Sequence, residues 1–249
     1  MANKIISCGG SVADRYGSGI KKSYGDYLAE LLDVEYIHNA KHLASNDRMY
    51  KLVVAQVQKE IITKGDLVIF QVGSPLRLDL PGPEHNVIKG ILYDYGTHCW
   101  SIANPVETKN PSEYKMFEPF YHEQSRVVAL NTDFYTENWL TQGLMFQSFL
   151  DQHGIGCLPI LHRCIADVPK HEIDLFLTPK NKKHAFLESA VWIHDPAKDP
   201  LYGYPPDRYL LGHDGYNPEM FDKAHYSDFG HKHISRKLLE HIETYELFR

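Results

Sequence analysis

Near its C-terminus the chain reads Asp222-Lys-Ala-His225-Tyr-Ser-Asp-Phe-Gly230-His231. A carboxylate stands three residues before an imidazole. At that spacing Asp222 can accept a hydrogen bond from one ring nitrogen of His225, which fixes the tautomer and leaves the other nitrogen as a base. A base needs a proton to take. The best donor is at the opposite end of the chain, where Gly9-Gly10-Ser11 follows the apolar run Lys4 to Cys8. A serine hydroxyl is a poor nucleophile at neutral pH until a base removes its proton as it attacks. Together the three residues would carry acyl transfer to water. Each also has an ordinary reading: Ser11 as a turn serine, Asp222 as the cap of a short turn, His225 as a hydrogen-bonded histidine beside the last helix.

Fifteen histidines raise a metal alternative, with His231-Lys-His233 as an i, i+2 pair close to His225. On a helix those two positions point to different faces, and no Glu or Cys partner stands at ligand spacing. The expectation is no metal and no organic cofactor.

The elements that would position these residues follow from periodicity. Lys4 to Cys8 reads as a buried strand that stops at a glycine turn, so Ser11 lies just past its C-terminal end. In open parallel sheets that edge is where ligands bind. Ser23 opens a helix, with Asp26 three residues on as a weakened capping box and Tyr24, Tyr27, Leu28, Leu31 and Leu32 as its apolar face. Val34 to His38 is a second strand and runs into the loop Asn39 to Ser45. Asn46 is expected to cap the next helix, where Met49, Val53, Val57 and Ile61 repeat every four residues and Lys64-Gly65 marks the end. Asp66 to Val72 is continuous and apolar, as a strand covered on both faces should be. The pattern βαβαβ implies a mostly parallel sheet.

Residues 79 to 112 carry four prolines (Pro81, Pro83, Pro105 and Pro111) with little periodicity, and read as a long excursion on the catalytic edge. Residues 113 to 131 fit helix and strand equally. From Asp133 to His153 the pattern is helical, with Trp139, Leu140, Leu144, Phe149 and Leu150 inward and Gly154 closing it. Ile155 to Leu161 is a fourth strand. Residues 194 to 220 form a second excursion, and a helix from about Asp228 buries Ile234, Leu238, Leu239, Ile242 and Tyr245. No repeat or interdomain linker interrupts this order, so residues 1 to 249 are expected to form one domain, with excursions at about 79–131 and 194–220.

Composition narrows the function. The 249 residues are 43% hydrophobic, enough for a substantial core, and the net charge of −6 gives no electrostatic case for nucleic acid or an anionic membrane. The four cysteines (Cys8, Cys99, Cys157, Cys164) are scattered without CxxC spacing and read as reduced thiols. The run Ile5 to Cys8 is too short for a signal-peptide core, and no segment approaches a membrane span. A cytoplasmic location is expected, with packaging into a virus particle as another route.

In these blocks and their order the chain resembles the SGNH (GDSL-type) hydrolases. That family places Gly-Asp-Ser after its first strand, where this chain has Gly9-Gly10-Ser11, and Asp-x-x-His before its last helix, where this chain has Asp222-Lys-Ala-His225 followed by Gly230. The resemblance implies a three-layer α/β/α sandwich with a mostly parallel, flavodoxin-like sheet, and a Ser11/His225/Asp222 triad. The family's second block falls in the Asn39 to Ser45 loop, with its oxyanion glycine near Leu43. Its third block is Gly-x-Asn-Asp, of which Gly73-Ser74-Pro75-Leu76 keeps only the glycine. The resemblance therefore assigns oxyanion or substrate contacts to the Leu43–Ser45 loop, and to Ser74 and Arg77 as replacement donors. Losing one oxyanion donor typically lowers the rate by about 100- to 1000-fold.

Two functions follow. One is a serine esterase acting on a small-molecule or glycan ester, an O-acetyl group on a sugar being one candidate; aromatics in the excursions (Tyr93, Tyr95, Trp100, Tyr202, Tyr204, Tyr209) would suit a sugar wall. The other is a degenerate scaffold that binds or builds, as a homo-oligomer or with an assembly partner such as a virion.

Overall fold

The computed structural model describes residues 4–10, 13, 15, 20–40, 45–72, 77–80, 98–101, 132–161, 184–188, 190–192, 221–222 and 225–245. In chain order the first elements are β1 (Lys4–Cys8), α1 (Tyr24–Leu32), β2 (Glu35–His38), α2 (Asn46–Gln58) and β3 (Leu67–Val72). A hairpin follows, β4 (Arg77–Leu80) and β5 (His98–Ser101), and then α3 (Thr132–Gln152), β6 (Gly156–Leu161), α4 (Ala185–Glu188) and β7 (Val191–Trp192). A second hairpin, β8 (Phe221–Asp222) and β9 (His225–Tyr226), leads into α5 (Asp228–Tyr245).

Five strands form one parallel sheet in the order β2-β1-β3-β6-β7. Its two faces bury separate cores. On one face Ile5, Leu67, Ile69, Leu158 and Ile160 pack with Tyr24 and Leu28 of α1 and Ile234, Leu238 and Ile242 of α5. On the other, Ile6, Cys8, Val68, Phe70 and Val72 pack with Met49, Val53 and Val57 of α2 and Trp139, Leu140, Phe146 and Leu150 of α3. Alternation along β1 and β3 sends successive side chains to opposite layers. Because both layers are apolar, all six residues of β3 are buried. This is a three-layer α/β/α sandwich, as the resemblance to the SGNH hydrolases implies, on the parallel sheet that the sequence pattern predicts. The strand order reverses direction between β1 and β3, and their C-terminal ends form the edge where doubly wound sheets hold ligands.

Several details differ from the sequence reading. On α1 the buried residues are Tyr24, Gly25, Leu28 and Ala29, while Leu31 is half exposed. The small residues let the helix lean on that side against Tyr36 of β2. A Cβ at Gly25 would lie 2.5 Å from the Tyr36 hydroxyl and 2.6 Å from its ring. Gly→Ala inside a helix ordinarily gains about 1 kcal/mol. Here Gly25→Ala is expected instead to lose about 1–3 kcal/mol through overpacking, read as a lower urea midpoint.

The cap of α2 is Ser45, not Asn46: its Oγ accepts from the Arg48 N–H at 3.1 Å. The helix ends at Gln58, well before Lys64-Gly65. Glu60 takes a left-handed φ of 58°, with Glu60 N–H donating to Val57 O and Ile61 N–H to Gln56 O. That is a Schellman closure with a glutamate where glycine is usual. It turns Ile61 outward and puts Ile62 in the core. In α3 Phe146 and Gly143 are buried and Leu144 is exposed, and in α5 Tyr245 is exposed. Gly230 lies inside the first turn of α5 rather than before it. The β4–β5 hairpin begins at Arg77, two residues ahead of the expected excursion at 79–112, and puts paired strand at both ends of 77–101, where the sequence shows little periodicity. Residues 113–131 and 194–220 lie outside the described residues. No described helix is long and apolar enough to cross a membrane.

Candidate active site at the sheet edge

The loop leaving β1 is held from β3. Gln71 lies on the face of the α1/α5 core and is 2% exposed, a polar side chain in an otherwise apolar strand. Its Oε1 accepts from the N–H of Gly10 at 3.0 Å and from the N–H of Ala13 at 3.0 Å. Ala13 N–H also donates to Gly10 O at 3.0 Å. Two backbone donors on one side-chain oxygen settle the amide orientation, because the NH2 end could not accept either. Gly9 makes the approach possible: its φ is +154°, and a Cβ there would stand 2.5 Å from Gln71 Cβ and 2.9 Å from Ala13 Cβ. Ser11 and Val12 lie outside the described residues, while Gly10 before them and Ala13 after them are both bonded to Gln71.

At the other end, β8 and β9 pair antiparallel in a register that sets Asp222 opposite His225. Tyr226, one residue on, is fully buried in the α1/α5 core. Ser227 caps α5, its Oγ accepting from the Gly230 N–H at 3.1 Å. His231, one turn into α5, is buried, and its Nδ1 accepts from the Tyr24 N–H at 3.1 Å. An accepting Nδ1 carries no proton, so the ring hydrogen is on Nε2. This bond satisfies one of the orphan donors at the start of α1 and ties the start of α5 to it. His231 therefore has a structural task, and among the described residues no group of three His, Cys, Asp or Glu is placed to hold a metal.

The second loop is also tethered. Asn39 N–H donates to Ser7 O at 2.9 Å, and the Asn39 and Gln56 amides bond reciprocally at 2.6 and 3.1 Å. Ser45 closes the loop as the buried cap of α2. Leu43 and Ser74 lie outside the described residues. Cys8, at the end of β1, is no rival nucleophile: burial pushes its thiol up to about 12, against a small opposing effect of the Asn39 amide.

The sequence reading missed a hydrogen-bond chain beside this edge. Ser23 O–H donates to Asp26 Oδ2 at 2.8 Å, so the 2.9 Å contact of Ser23 Oγ with the Tyr36 hydroxyl uses the tyrosine's proton. Tyr36 oxygen must then accept from Ser7 O–H at 2.5 Å and from His38 Nδ1–H at 2.9 Å. Arg15 closes the far end on the Asp26 carboxylate. Burial alone would raise the Asp26 carboxyl, but the Arg15 hydrogen bond and charge and the Ser23 N–H and O–H hold it below its ordinary 3.8. A lowered carboxyl stabilises the fold above the unfolded value and loses that contribution as pH falls through the folded one. Asp26→Asn is expected to cost about 1–2 kcal/mol at neutral pH. The gap to wild type should close below pH 3.8, which thermal melts across an acid series would show.

No protein-family model matches the chain, and no curated protein sequence matches it. Among solved structures, it is similar to a protein from Desulfitobacterium hafniense described as lipolytic and of the G-D-S-L family. The identity is 14% over 96% of this chain and 98% of that one, with a TM-score of 0.52. A GDSL-like lipase from Bacteroides thetaiotaomicron matches at 10% identity over 97% of this chain and 88% of that one, with a TM-score of 0.48. The first likeness runs nearly end to end in both chains and agrees with the two-core layering and the strand order, so this chain has the α/β/α fold of the G-D-S-L, or SGNH, hydrolases.

Proposed function

We propose that the chain is a serine esterase of the SGNH type, with Ser11 as nucleophile, His225 as base and Asp222 as the group that orients it. A fold by itself does not specify chemistry, so the proposal rests on the site. The observation that carries it is the burial of Ala13, two residues past Ser11, and Tyr226, one past His225, in the same core on one face of the sheet. The Asp222–His225 register supports the pairing of base and orienter.

In the proposed reaction the Ser11 oxygen attacks the ester carbonyl as His225 takes its proton, and Asp222 stabilises the imidazolium. The Ser11 N–H and an N–H of the Leu43–Ser45 loop stabilise the oxyanion, with Ser74 and Arg77 in place of the absent asparagine. The protonated His225 then releases the alcohol, and water hydrolyses the acyl-enzyme by the same steps in reverse. The description of the Desulfitobacterium protein as lipolytic is in keeping with an ester substrate. The substrate class proposed here is a small-molecule or glycan ester with a short acyl group.

The sequence Gly73-Ser74-Pro75-Leu76 favours the second reading, a scaffold without catalysis, because no asparagine stands in the third block. Hydrolysis of p-nitrophenyl acetate and butyrate, and of an acetylated glycan set, by wild type beside Ser11→Ala separates the two. Turnover above background that vanishes in the variant is the expected result. Equal inertness of the two proteins would hand the case to the scaffold.

A further inference from the structure

A buried amide in an apolar strand is costly unless its polar atoms are bonded. Gln71 meets that cost by accepting from two backbone N–H groups, and those two belong to the residues that bracket Ser11 and Val12. We infer that Gln71 is a positioning residue for the nucleophile: its Oε1 ties Gly10 and Ala13 to β3, and the loop so anchored is the one that carries Ser11. This rests on the proposed role of Ser11 and goes beyond it, because Gln71 lies outside the serine, histidine and aspartate blocks.

Three features make the clamp specific. Gln71 stands on β3 beside β1, so the anchor is on the rigid sheet and not on another loop. Oε1 accepts both bonds, so removing that one atom detaches Gly10 and Ala13 together from β3 and leaves only the Ala13 N–H bond to Gly10 O between them. Gly9 lets the amide reach the loop, since a Cβ there would overlap Gln71 Oε1 at 2.6 Å. Reactive groups displaced by about 1 Å can lose about 100-fold in rate, so the clamp should act on the chemical step.

The test reads the serine directly with a fluorophosphonate. The Ser11 oxygen forms a bond to phosphorus, fluoride leaves with the electron pair of the P–F bond, and the serine proton passes to the base. Peptide mapping locates the adduct. Gln71→Asn keeps the amide but withdraws its oxygen from the loop, and Gln71→Met removes the acceptor. Either is expected to slow labelling about 10- to 100-fold. Gln71→Glu keeps an acceptor at the same reach, and should restore labelling to within a few-fold of wild type, which a merely space-filling role would not require. A folded Gln71→Asn or Gln71→Met that labels at the wild-type rate overturns the inference, as does a Gln71→Glu no better than Gln71→Met. An unlabelled wild type overturns the esterase reading instead, and with it any service to a nucleophile. Amide exchange at Gly10 then judges the clamp alone: faster exchange in Gln71→Asn upholds it, and unchanged exchange removes it.

Discussion

Ser11→Ala is expected to lower kcat for p-nitrophenyl acetate by about ten-thousand-fold or more, with KM little changed. The magnitude follows from the way a triad works. Its members act as a unit, so loss of the nucleophile removes nearly the whole effect of all three. For the same reason a Ser11→Ala/His225→Ala double variant should be no slower than Ser11→Ala. Additive losses would mean that the two residues do not act on one proton. The chain carries fifteen histidines, and exposed imidazoles hydrolyse activated esters slowly, so the Ser11→Ala rate also gives the background for the assay. Steady-state kinetics on matched, folded samples decide the matter. A variant as active as wild type would exclude Ser11 as the nucleophile.

Phe70→Ala should be the most damaging core substitution close to the site. Phe70 is fully buried in β3, stacked on Tyr50 of α2 at 4.9 Å between centroids and 5.4 Å from Phe146 of α3. Tyr50 and Phe146 are themselves 4.6 Å apart, so three rings from three elements form one cluster. Truncating such a ring removes its transfer free energy and leaves a cavity that two helices and a strand cannot easily close. The expected loss is about 3–5 kcal/mol. For a chain of this size that lowers Tm by about 6–20 °C, which a thermal melt would register. A shift under about 2 °C would mean that α2 and α3 can collapse onto the vacated space.

Local patterning carried much of the architecture. The alternation of apolar runs with amphipathic stretches was enough to place β1, β2, β3 and β6 and the helices between them. A strand buried on both faces is apolar wherever it meets a helix layer, and β3 is so at every position but Gln71. Asp222 and His225 were singled out in the same way, because two residue types at a short spacing suggest a base and its orienting carboxylate. The structure adds that the pair faces across a two-residue hairpin register.

Other features were out of reach because they depend on neighbours distant in the chain. The Schellman end of α2 uses Glu60 in a left-handed conformation, which propensity argues against, and the chain must turn there to bring Ile62 inward. The exposed Leu31 and Leu144 show that helical period sets a stripe, while the contacting layer decides which side of the stripe is buried.

Gln71 is the sharpest case. In the sequence it is one polar residue near the end of an apolar run, with nothing beside it to announce a role. Its function exists only because β1 and β3 are adjacent, which brings residues 61 and 58 positions away onto a single side-chain oxygen. His231 is similar, its Nδ1 meeting the start of α1 across 207 positions. Residue types and short spacings therefore pointed to most of the elements and nominated the groups proposed to react, since both are local properties of the chain. The packing of strand on strand and helix on helix settled what anchors those groups, since a hydrogen bond between distant residues has no local signature.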